Sequence, residues 1–201
     1  MLRVGLTGGL ASGKSFVGEA LASLGCHLLK ADELGHKLLQ PGTEVYGRVV
    51  DAFGPSILDA EGRIVRRALG SLVFDDPQKL ALLNSMVHPA VIEEEERWMR
   101  QTEASDPHGI AIVEAAILIE TGSYKRFDKI VLAVCSDEQQ IARAMKRDGL
   151  SREEALARLS RQMPLAEKRK FADFVVDTSG EKEQTLVQVR RLYDELRRLA
   201  S

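Results

Sequence analysis

The sequence predicts an α/β fold in which a parallel sheet lies between helices as a three-layer core, interrupted by a helical insertion. Short apolar runs suited to buried strands alternate with segments of helical periodicity. A long internal stretch contains helical segments without a convincing strand, and a glycine-rich loop joins the first apolar run to the first helix. The 201 residues suffice for one such core and a small added subdomain.

The glycine-rich loop is the most informative motif. Gly8 to Ser15 fits the pattern G-x-x-x-x-G-K-[ST] and lies between an apolar strand and a helix that ends at Gly25. Its backbone N–H groups can point at a phosphate, Lys14 supplies positive charge for the β- and γ-phosphates, and the Ser15 hydroxyl can bind Mg²⁺. These features predict a P-loop site for ATP. The candidate nucleotide-binding residues are Gly8, Gly9, Ala11, Ser12, Gly13, Lys14, Ser15 and Phe16.

Composition excludes several classes of partner. The net charge of -2 gives no basic excess for nucleic acid or an anionic membrane. Because the first residues already fit a core strand, we expect no signal peptide, and no apolar run approaches the ~18 residues of a membrane span. Cys26 and Cys135 lie in apolar runs and are expected to be free thiols of a reducing compartment. We therefore expect a cytoplasmic monomer or weak homo-oligomer.

Two acids follow predicted strands. Asp32 comes after the second strand, so it is expected beside the loop, and Lys30 would share its side if the extended conformation persisted. Asp32 is a candidate catalyst or, alternatively, the N-cap of a helix over 33–39. Glu114 ends a buried strand and could direct a carboxylate toward Mg²⁺, although many buried strands end in an acid.

Residues 41–105 form the helical insertion. Their periodicity predicts helices at about 43–53, 65–74, 76–86 and 88–104. In a nucleotide kinase such an insertion holds the phosphoryl acceptor, so Arg66, Arg67 and His88 are candidate contacts, with surface or capping roles as the alternative. The acidic run Glu93–Glu96 is interpreted as a solvated helix face.

Two arginine-rich helices are predicted after the fourth strand. Arg143 and Arg147 are four residues apart and share a helix face, while Ser151 and Glu154 form a capping box that opens the second helix. Such a pair resembles a lid that excludes water and stabilises a transferring phosphoryl group. The alternative is an exposed hairpin with surface arginines. Glu120, before these helices, could bind substrate, cap a helix or face solvent.

Together these residues resemble the dephospho-coenzyme A kinase family along nearly the whole chain. Each piece except the loop is unspecific by itself, but their order is highly specific. The matching features are Thr7 to Ser15, Ala31-Asp32, Gln40-Pro41-Gly42, Phe53-Gly54, Arg66 with Leu69 and Phe74, Leu83-Asn84, His88-Pro89, Ile117 to Glu120, Gln140 with Arg143, Arg147-Asp148, Gln162, and Ala172-Asp173 leading to Asp177.

The resemblance implies a reaction and roles for residues. ATP would phosphorylate the ribose 3′-hydroxyl of dephospho-coenzyme A, the last step of coenzyme A biosynthesis. Asp32 would be the general base or hydroxyl orienter, Arg143 or Arg147 would stabilise the transferring group, and the turn at Gly180 would contact adenine. The family also implies three parts. They are a P-loop core at 1–40, 107–136 and 172–201, a helical acceptor domain at 41–106, and a lid at 137–171.

Four positions depart from the family pattern. Lys30 stands where the family has an acid, Ala116 where it has proline, Glu114 where it often has aspartate, and Thr178 where asparagine is frequent. If the family's first acid helps to hold Mg²⁺, this protein does without it, and Lys30 could contact a phosphate instead. Thr178 puts the adenine contact in question. The competing functions are a kinase for another small nucleotide or nucleoside, and a nucleotide-dependent switch.

Overall fold

A single parallel sheet forms the centre of the computed structural model, which describes residues 1–74 and 76–200. Its strands are β1 (Leu2–Gly8), β2 (His27–Lys30), β3 (Ile110–Glu114), β4 (Lys129–Val134) and β5 (Phe174–Asp177). They lie in the order β2-β3-β1-β4-β5, with every pair parallel. The predicted parallel α/β core is thus confirmed, and the carboxyl ends of all strands meet at one edge.

Both faces of the sheet are covered by apolar side chains, as a parallel sheet requires. On one face, Leu6 and Val131 pack with residues of helices α1 (Lys14–Ser23) and α9 (Lys182–Leu199). On the other face, the side chains of Leu118, Phe127 and Ile130 pack so closely over Gly5 of β1 that a β-carbon there would clash with them. The free thiols of Cys26 and Cys135, buried and half-buried, agree with the prediction.

Three helices follow β4 and precede β5. They are α6 (Asp137–Asp148), α7 (Arg152–Leu159) and α8 (Leu165–Lys168). Ser136 with Gln139 forms a capping box at the start of α6, and Ser151 with Glu154 forms one at the start of α7. The two predicted helices and the predicted capping box at Ser151 are therefore confirmed.

The helical insertion forms a compact unit of its own. Its helices are α2 (Ala31–Leu38), α3 (Glu44–Phe53), α4 (Arg66–Phe74) and α5 (Pro77–Ser105), the last of which continues beyond the unit. Val45, Val49, Ile57, Leu69 and Met86 are buried together in its separate core. The helices predicted at about 43–53 and 65–74 are confirmed.

The prediction of separate helices at 76–86 and 88–104 is wrong, because α5 runs through Pro89 without interruption. Proline removes one intrahelical hydrogen bond and crowds the preceding turn. Met86 is buried on this stretch, and Leu83, Val87 and Ala90 pack against the same core. Apolar packing on both sides of Pro89 stabilises the helix despite the lost bond.

Contacts divide the chain into two units, Met1–Lys30 with Met99–Ser201, and Ala31–Trp98. The second unit starts earlier than the predicted bound at residue 41, because α2 follows β2 directly and belongs to this unit. It ends before the predicted bound at residue 106, because the continuous helix α5 passes from this unit into the first. The expected lid at 137–171 belongs to the first unit, and its role as a lid stays a prediction. Over residues 1–74 and 76–200, no helix combines the length and apolar character needed to cross a membrane.

Candidate active site

The phosphate loop connects the end of β1 to the start of α1. Gly13 has φ 87° and Ala11 has φ 50°, so both occupy the left-handed region that side chains disfavour. The backbone N–H of Ser12 donates to the carbonyl oxygen of Gly9 at 3.2 Å. The first N–H groups of α1 follow directly, and such donors at a helix N-terminus attract anions. The loop therefore has the geometry of an anion site.

Close packing requires glycine at two loop positions. A β-carbon on Gly8 would lie 2.2 Å from Ser12 Oγ and 2.9 Å from the carbonyl oxygen of Ala133. One on Gly9 would lie 2.1 Å from Gln140 Oε1. Ser12 and Gln140 are fully buried. A side chain at Gly8 would therefore displace the loop, and one at Gly9 would displace the buried amide of Gln140.

The loop, the start of α1 and helix α6 line one open cleft of about 190 Å³. Its lining residues are Ala11, Ser12, Gly13, Lys14, Ser15, Phe16, Arg143 and Arg147. The structure thus brings the predicted loop residues from Ala11 onward together with both predicted arginines. Gly8 and Gly9 form the packed base of the loop instead, and Gly180 lies outside this lining, in the turn before α9.

Ser15 and Glu114 form the part of the site that could hold a divalent cation. Ser15 Oγ donates to Glu114 Oε1 at 2.5 Å. Glu114 is buried, and its Oε2 has no hydrogen-bond partner among residues 1–74 and 76–200. A hydroxyl beside a carboxylate with a free oxygen fits the oxygen ligands that Mg²⁺ prefers, directly or through water.

A cation here would also need ligands from outside the protein. Within the described residues, which leave out 75 and 201, no group of three or more His, Cys, Asp or Glu side chains could hold a metal ion. Mg²⁺ at P-loops keeps several waters and shares the phosphate oxygens of the nucleotide, so two protein oxygens suffice.

The two arginines of α6 have different partners. Arg143 donates from Nη2 to the carbonyl oxygen of Thr178 at 2.6 Å and from Nη1 to Thr178 Oγ1 at 3.2 Å. Thr178 Oγ1 in turn donates to the carbonyl oxygen of Ser12 at 2.7 Å. Arg147 is exposed and pairs with Asp148 through Nε and Nη2. Thr178 therefore joins Arg143 to the phosphate loop.

Asp32 lies in the first turn of α2, in the second unit. The extended conformation that would have placed Lys30 and Asp32 on one side does not persist, because the helix begins at Ala31 directly after β2. The N-cap prediction for 33–39 is also wrong, since Asp32 is already within the helix. Its carboxylate is exposed and stabilises this end of the helix dipole.

Lys30 has a partner on α1. Its Nζ donates to Glu19 Oε1 at 2.7 Å, and the Cα of Lys30 is paired in register with that of Glu114 on the neighbouring strand. The residue that replaces the family's acid is therefore engaged by a carboxylate one helical turn after Ser15.

Two histidines of the second unit, His36 and His88, have pKa values below the ordinary value. Burial and the guanidinium of Arg66 lower the pKa of His36, against the opposing effects of Asp32 and Glu33. Arg66 and Asp32 therefore both act on His36. Burial alone lowers the pKa of His88, which lies on α5.

Glu120 is exposed at the surface and also bonds to the protein. Its Oε1 lies 2.9 Å from Lys168 Nζ and accepts a hydrogen bond from the backbone N–H of Met163 at 3.1 Å. Lys168 is fully buried. Sequence reasoning missed Lys168, because nothing local distinguishes it from its exposed neighbours Lys170 and Arg169.

The fold and the cleft define a class of protein. A parallel sheet whose first strand leads into a lysine-bearing glycine loop and a helix is the P-loop nucleotide-binding arrangement. Arg143 and Arg147 line the same cleft as Lys14. Cations placed there suit phosphoryl transfer, in which charge is spread over the transferring group. The class is therefore that of P-loop kinases.

Similarity to known proteins narrows this class to one family. The family model for dephospho-CoA kinase matches residues 2–184. The chain is 41% identical over 198 residues to the dephospho-CoA kinase of Aquifex aeolicus (strain VF5), which covers 98% of this chain and 99% of that relative. The chain belongs to the dephospho-CoA kinase family.

Solved structures agree with this assignment. A crystal structure from Thermus thermophilus, 34% identical, superposes with a TM-score of 0.82 and covers 97% of each chain. The dephospho-CoA kinase from Campylobacter jejuni, 26% identical, superposes with a TM-score of 0.73 and covers 99% of this chain and 98% of that one.

Proposed function

We propose that this protein transfers the γ-phosphoryl group of ATP to the ribose 3′-hydroxyl of dephospho-coenzyme A. The hydroxyl oxygen forms a bond to the γ-phosphorus, and the bond from that phosphorus to the bridging oxygen breaks. The products are coenzyme A and ADP, and the hydroxyl proton passes to a protein carboxylate. The observation that carries the proposal is the cleft shared by Lys14, Arg143 and Arg147 in a chain of this family.

The donor half is supplied by the phosphate loop. Backbone N–H groups from Ala11 to Phe16 and the ammonium of Lys14 bind the β- and γ-phosphates. Ser15 and Glu114 would hold Mg²⁺, which supplies neutralising charge at those phosphates when bound. The hydrogen bond between these two side chains orients the serine hydroxyl before any ligand arrives.

The transferring group is stabilised from α6. Arg147 is exposed, and its pairing with Asp148 is a surface interaction that a phosphate can replace at little cost. Arg143 is held by Thr178, so its guanidinium is already oriented. Cations oriented in advance stabilise developing charge without reorganising during the reaction.

The acceptor half is assigned to the helical unit. Asp32 is proposed to accept the proton of the 3′-hydroxyl, because a carboxylate within reach of a hydroxyl can act as its general base. Arg66 and His88 are the proposed substrate contacts of the helical unit. Glu120 was a candidate for substrate binding, helix capping or a solvent-facing position, and its bonds to Lys168 and Met163 favour a supporting role.

A substrate panel tests this function. The purified protein is incubated with Mg²⁺ and ATP in the presence of dephospho-coenzyme A, nucleoside monophosphates or no acceptor. We expect ADP to form with dephospho-coenzyme A, together with a product that mass spectrometry and ³¹P NMR identify as 3′-phosphorylated. ADP formation only with nucleoside monophosphates would favour another nucleotide kinase. Slow hydrolysis independent of any acceptor would favour a switch.

We also infer a cytoplasmic monomer or weak homo-oligomer that binds neither nucleic acid nor membrane. The net charge of -2 supports the absence of a nucleic-acid partner. Sedimentation at several protein concentrations, and cell fractionation, test the oligomeric state and the location.

A further inference from the structure

Lys168 is a lysine with no exposed surface, at the end of α8. An ammonium group has three N–H donors, and Lys168 Nζ has three acceptors around it. They are the carbonyl oxygen of Ala116 at 2.7 Å, Glu120 Oε1 at 2.9 Å and the carbonyl oxygen of Gly8 at 3.3 Å. The buried charge is therefore both paired and fully hydrogen-bonded.

These acceptors come from segments that are far apart in the sequence. Gly8 is the last residue of β1 and the first of the phosphate loop, while Ala116 and Glu120 follow the end of β3. Ala116 also accepts a hydrogen bond from the hydroxyl of Thr7 at 3.3 Å. One side chain thus ties the ends of the two strands that carry the loop and Glu114.

The Glu120 carboxylate, which pairs with Lys168, also fixes the segment between α7 and α8. Glu120 Oε1 accepts both from Lys168 and from the backbone N–H of Met163, which lies between α7 and α8. Leu165, at the start of α8, approaches the position that a β-carbon on Gly9 would occupy. The segment from 163 to 168 therefore packs beneath the phosphate loop.

This arrangement is costly to maintain. Burial lowers the pKa of the Lys168 ammonium, against the raising effect of the Glu120 carboxylate. Replacing a buried charged group by an apolar one often leaves stability unchanged or increased, so stability alone does not account for the buried ammonium of Lys168. A function at the neighbouring loop does account for it.

We propose that Lys168, with Glu120, is a positioning residue that holds the base of the phosphate loop in its nucleotide-binding conformation. Its bond to the carbonyl oxygen of Gly8 fixes the point where the loop leaves β1, so that the N–H groups after it converge on the phosphates. The inference deepens the donor half of the proposed function and rests on it. Lys168 itself touches no reacting atom.

Binding of ATP, separated from stability and turnover, tests the inference. Lys168→Met keeps the length of the side chain and removes its charge and donors. We expect the dissociation constant for ATP with Mg²⁺, measured by calorimetry and corrected for the folded fraction, to rise about tenfold, since a lost hydrogen bond to a charged group has about this effect. The KM for dephospho-coenzyme A should stay unchanged, because only the donor half is disturbed.

Two further variants keep the test decisive. Val189→Ala removes buried volume on α9 within the main core and is the control for lost stability without a change near the loop. Glu120→Gln keeps an acceptor for Lys168 and Met163 and removes the negative charge. This variant tests the same proposal if Lys168→Met does not fold. Hydrogen exchange of residues 8–16, followed by mass spectrometry, should be faster in Lys168→Met and Glu120→Gln than in Val189→Ala.

The outcomes separate the two proposals. The role of Lys168 is supported if ATP affinity falls and loop exchange rises in its variant or in Glu120→Gln, but not in Val189→Ala. It is overturned if the folded variants bind ATP like the wild type, whatever their melting temperatures. A wild-type protein that does not phosphorylate dephospho-coenzyme A would contradict the proposed function, while the ATP affinities would still decide the role of Lys168.

Discussion

Ser15 Oγ and Glu114 Oε1 lie 2.5 Å apart, although 99 positions separate the two residues in the sequence. Ser15 is in the first turn of α1, and Glu114 is the last residue of β3. The sheet therefore delivers a carboxylate to the start of the helix that would meet the phosphates. The remaining buried oxygen of Glu114 has no protein partner within residues 1–74 and 76–200, which leaves it available to a cation.

Glu114→Gln tests the metal assignment. The amide keeps an acceptor for Ser15 and loses the charge, so we expect the Mg²⁺ concentration for half-maximal activity to rise about 10- to 100-fold, the range for removing a supporting group at a metal site. Titrating Mg²⁺ at fixed ATP measures the change. Glu183→Gln, an exposed glutamate in the first turn of α9, is the control. An unchanged Mg²⁺ dependence in Glu114→Gln would remove this residue from the metal site.

Asp32→Asn tests the proposed base. We expect turnover to fall by a factor of about 10²–10⁴, the usual contribution of a general base, while ATP binding persists because the phosphate loop is intact. Steady-state kinetics and calorimetry measure the two effects. Glu33→Gln removes the neighbouring exposed carboxylate of the same helical turn and should keep its turnover. Equal turnover in Asp32→Asn and the wild type would exclude Asp32 from the mechanism.

The arginines of α6 are expected to respond differently to replacement by methionine. Arg147→Met should lower kcat by about 10²–10³, typical of one lost electrostatic stabiliser, at an unchanged melting temperature because exposed ion pairs contribute little to stability. Arg143→Met should lower both quantities, because it also removes the bonds to Thr178. Kinetics with thermal unfolding measures both, and Arg190→Met on α9 is the control. A normal kcat in both α6 variants would contradict the proposed role of this helix.

His88 should make the stability of the protein depend on pH. Burial lowers its pKa in the folded state below the ordinary 6.5, so the unfolded chain binds the proton more readily. Stability is therefore complete above pH 6.5 and decreases as the pH falls toward the folded-state pKa. In His88→Gln the drop in melting temperature between about pH 7.5 and about pH 5.5 should be smaller than in the wild type.

The control for His88 is His108→Gln, since His108 is exposed. A pH dependence that is the same in the wild type, His88→Gln and His108→Gln would contradict the prediction. The same His88 variant also tests the proposed substrate contact, which predicts a higher KM for dephospho-coenzyme A at neutral pH.

Local patterns account for the parts of the fold and site that sequence reasoning obtained. The phosphate loop depends on glycine positions and one lysine within eight residues, from Gly8 to Ser15. The capping box at Ser151 depends on contacts between residues three positions apart. Glu114 was found because a buried parallel strand has a recognisable composition and its end is where ligands bind.

Features that depend on tertiary packing could not be predicted from local sequence patterns. The acidic run Glu93–Glu96 was expected to face solvent, but Glu95 is 3% exposed. Successive residues of a helix differ by about 100°, so four consecutive side chains cannot share one face. Pro89 and Lys168 also depend on tertiary packing. Apolar contacts around the proline keep α5 continuous, and three acceptors that are distant in the sequence allow the lysine to be buried.

The order of the strands in the sheet has a consequence for synthesis of the chain. Leu2 pairs with Ile110 and His27 pairs with Ala111, so neither β1 nor β2 has a neighbour until β3 has left the ribosome. The helical unit Ala31–Trp98 lies between β2 and β3 in the sequence, closes through contacts of short sequence separation, and can form earlier. The nascent protein therefore carries two unpaired apolar strands beside a finished subdomain, the stage at which it most needs protection from aggregation.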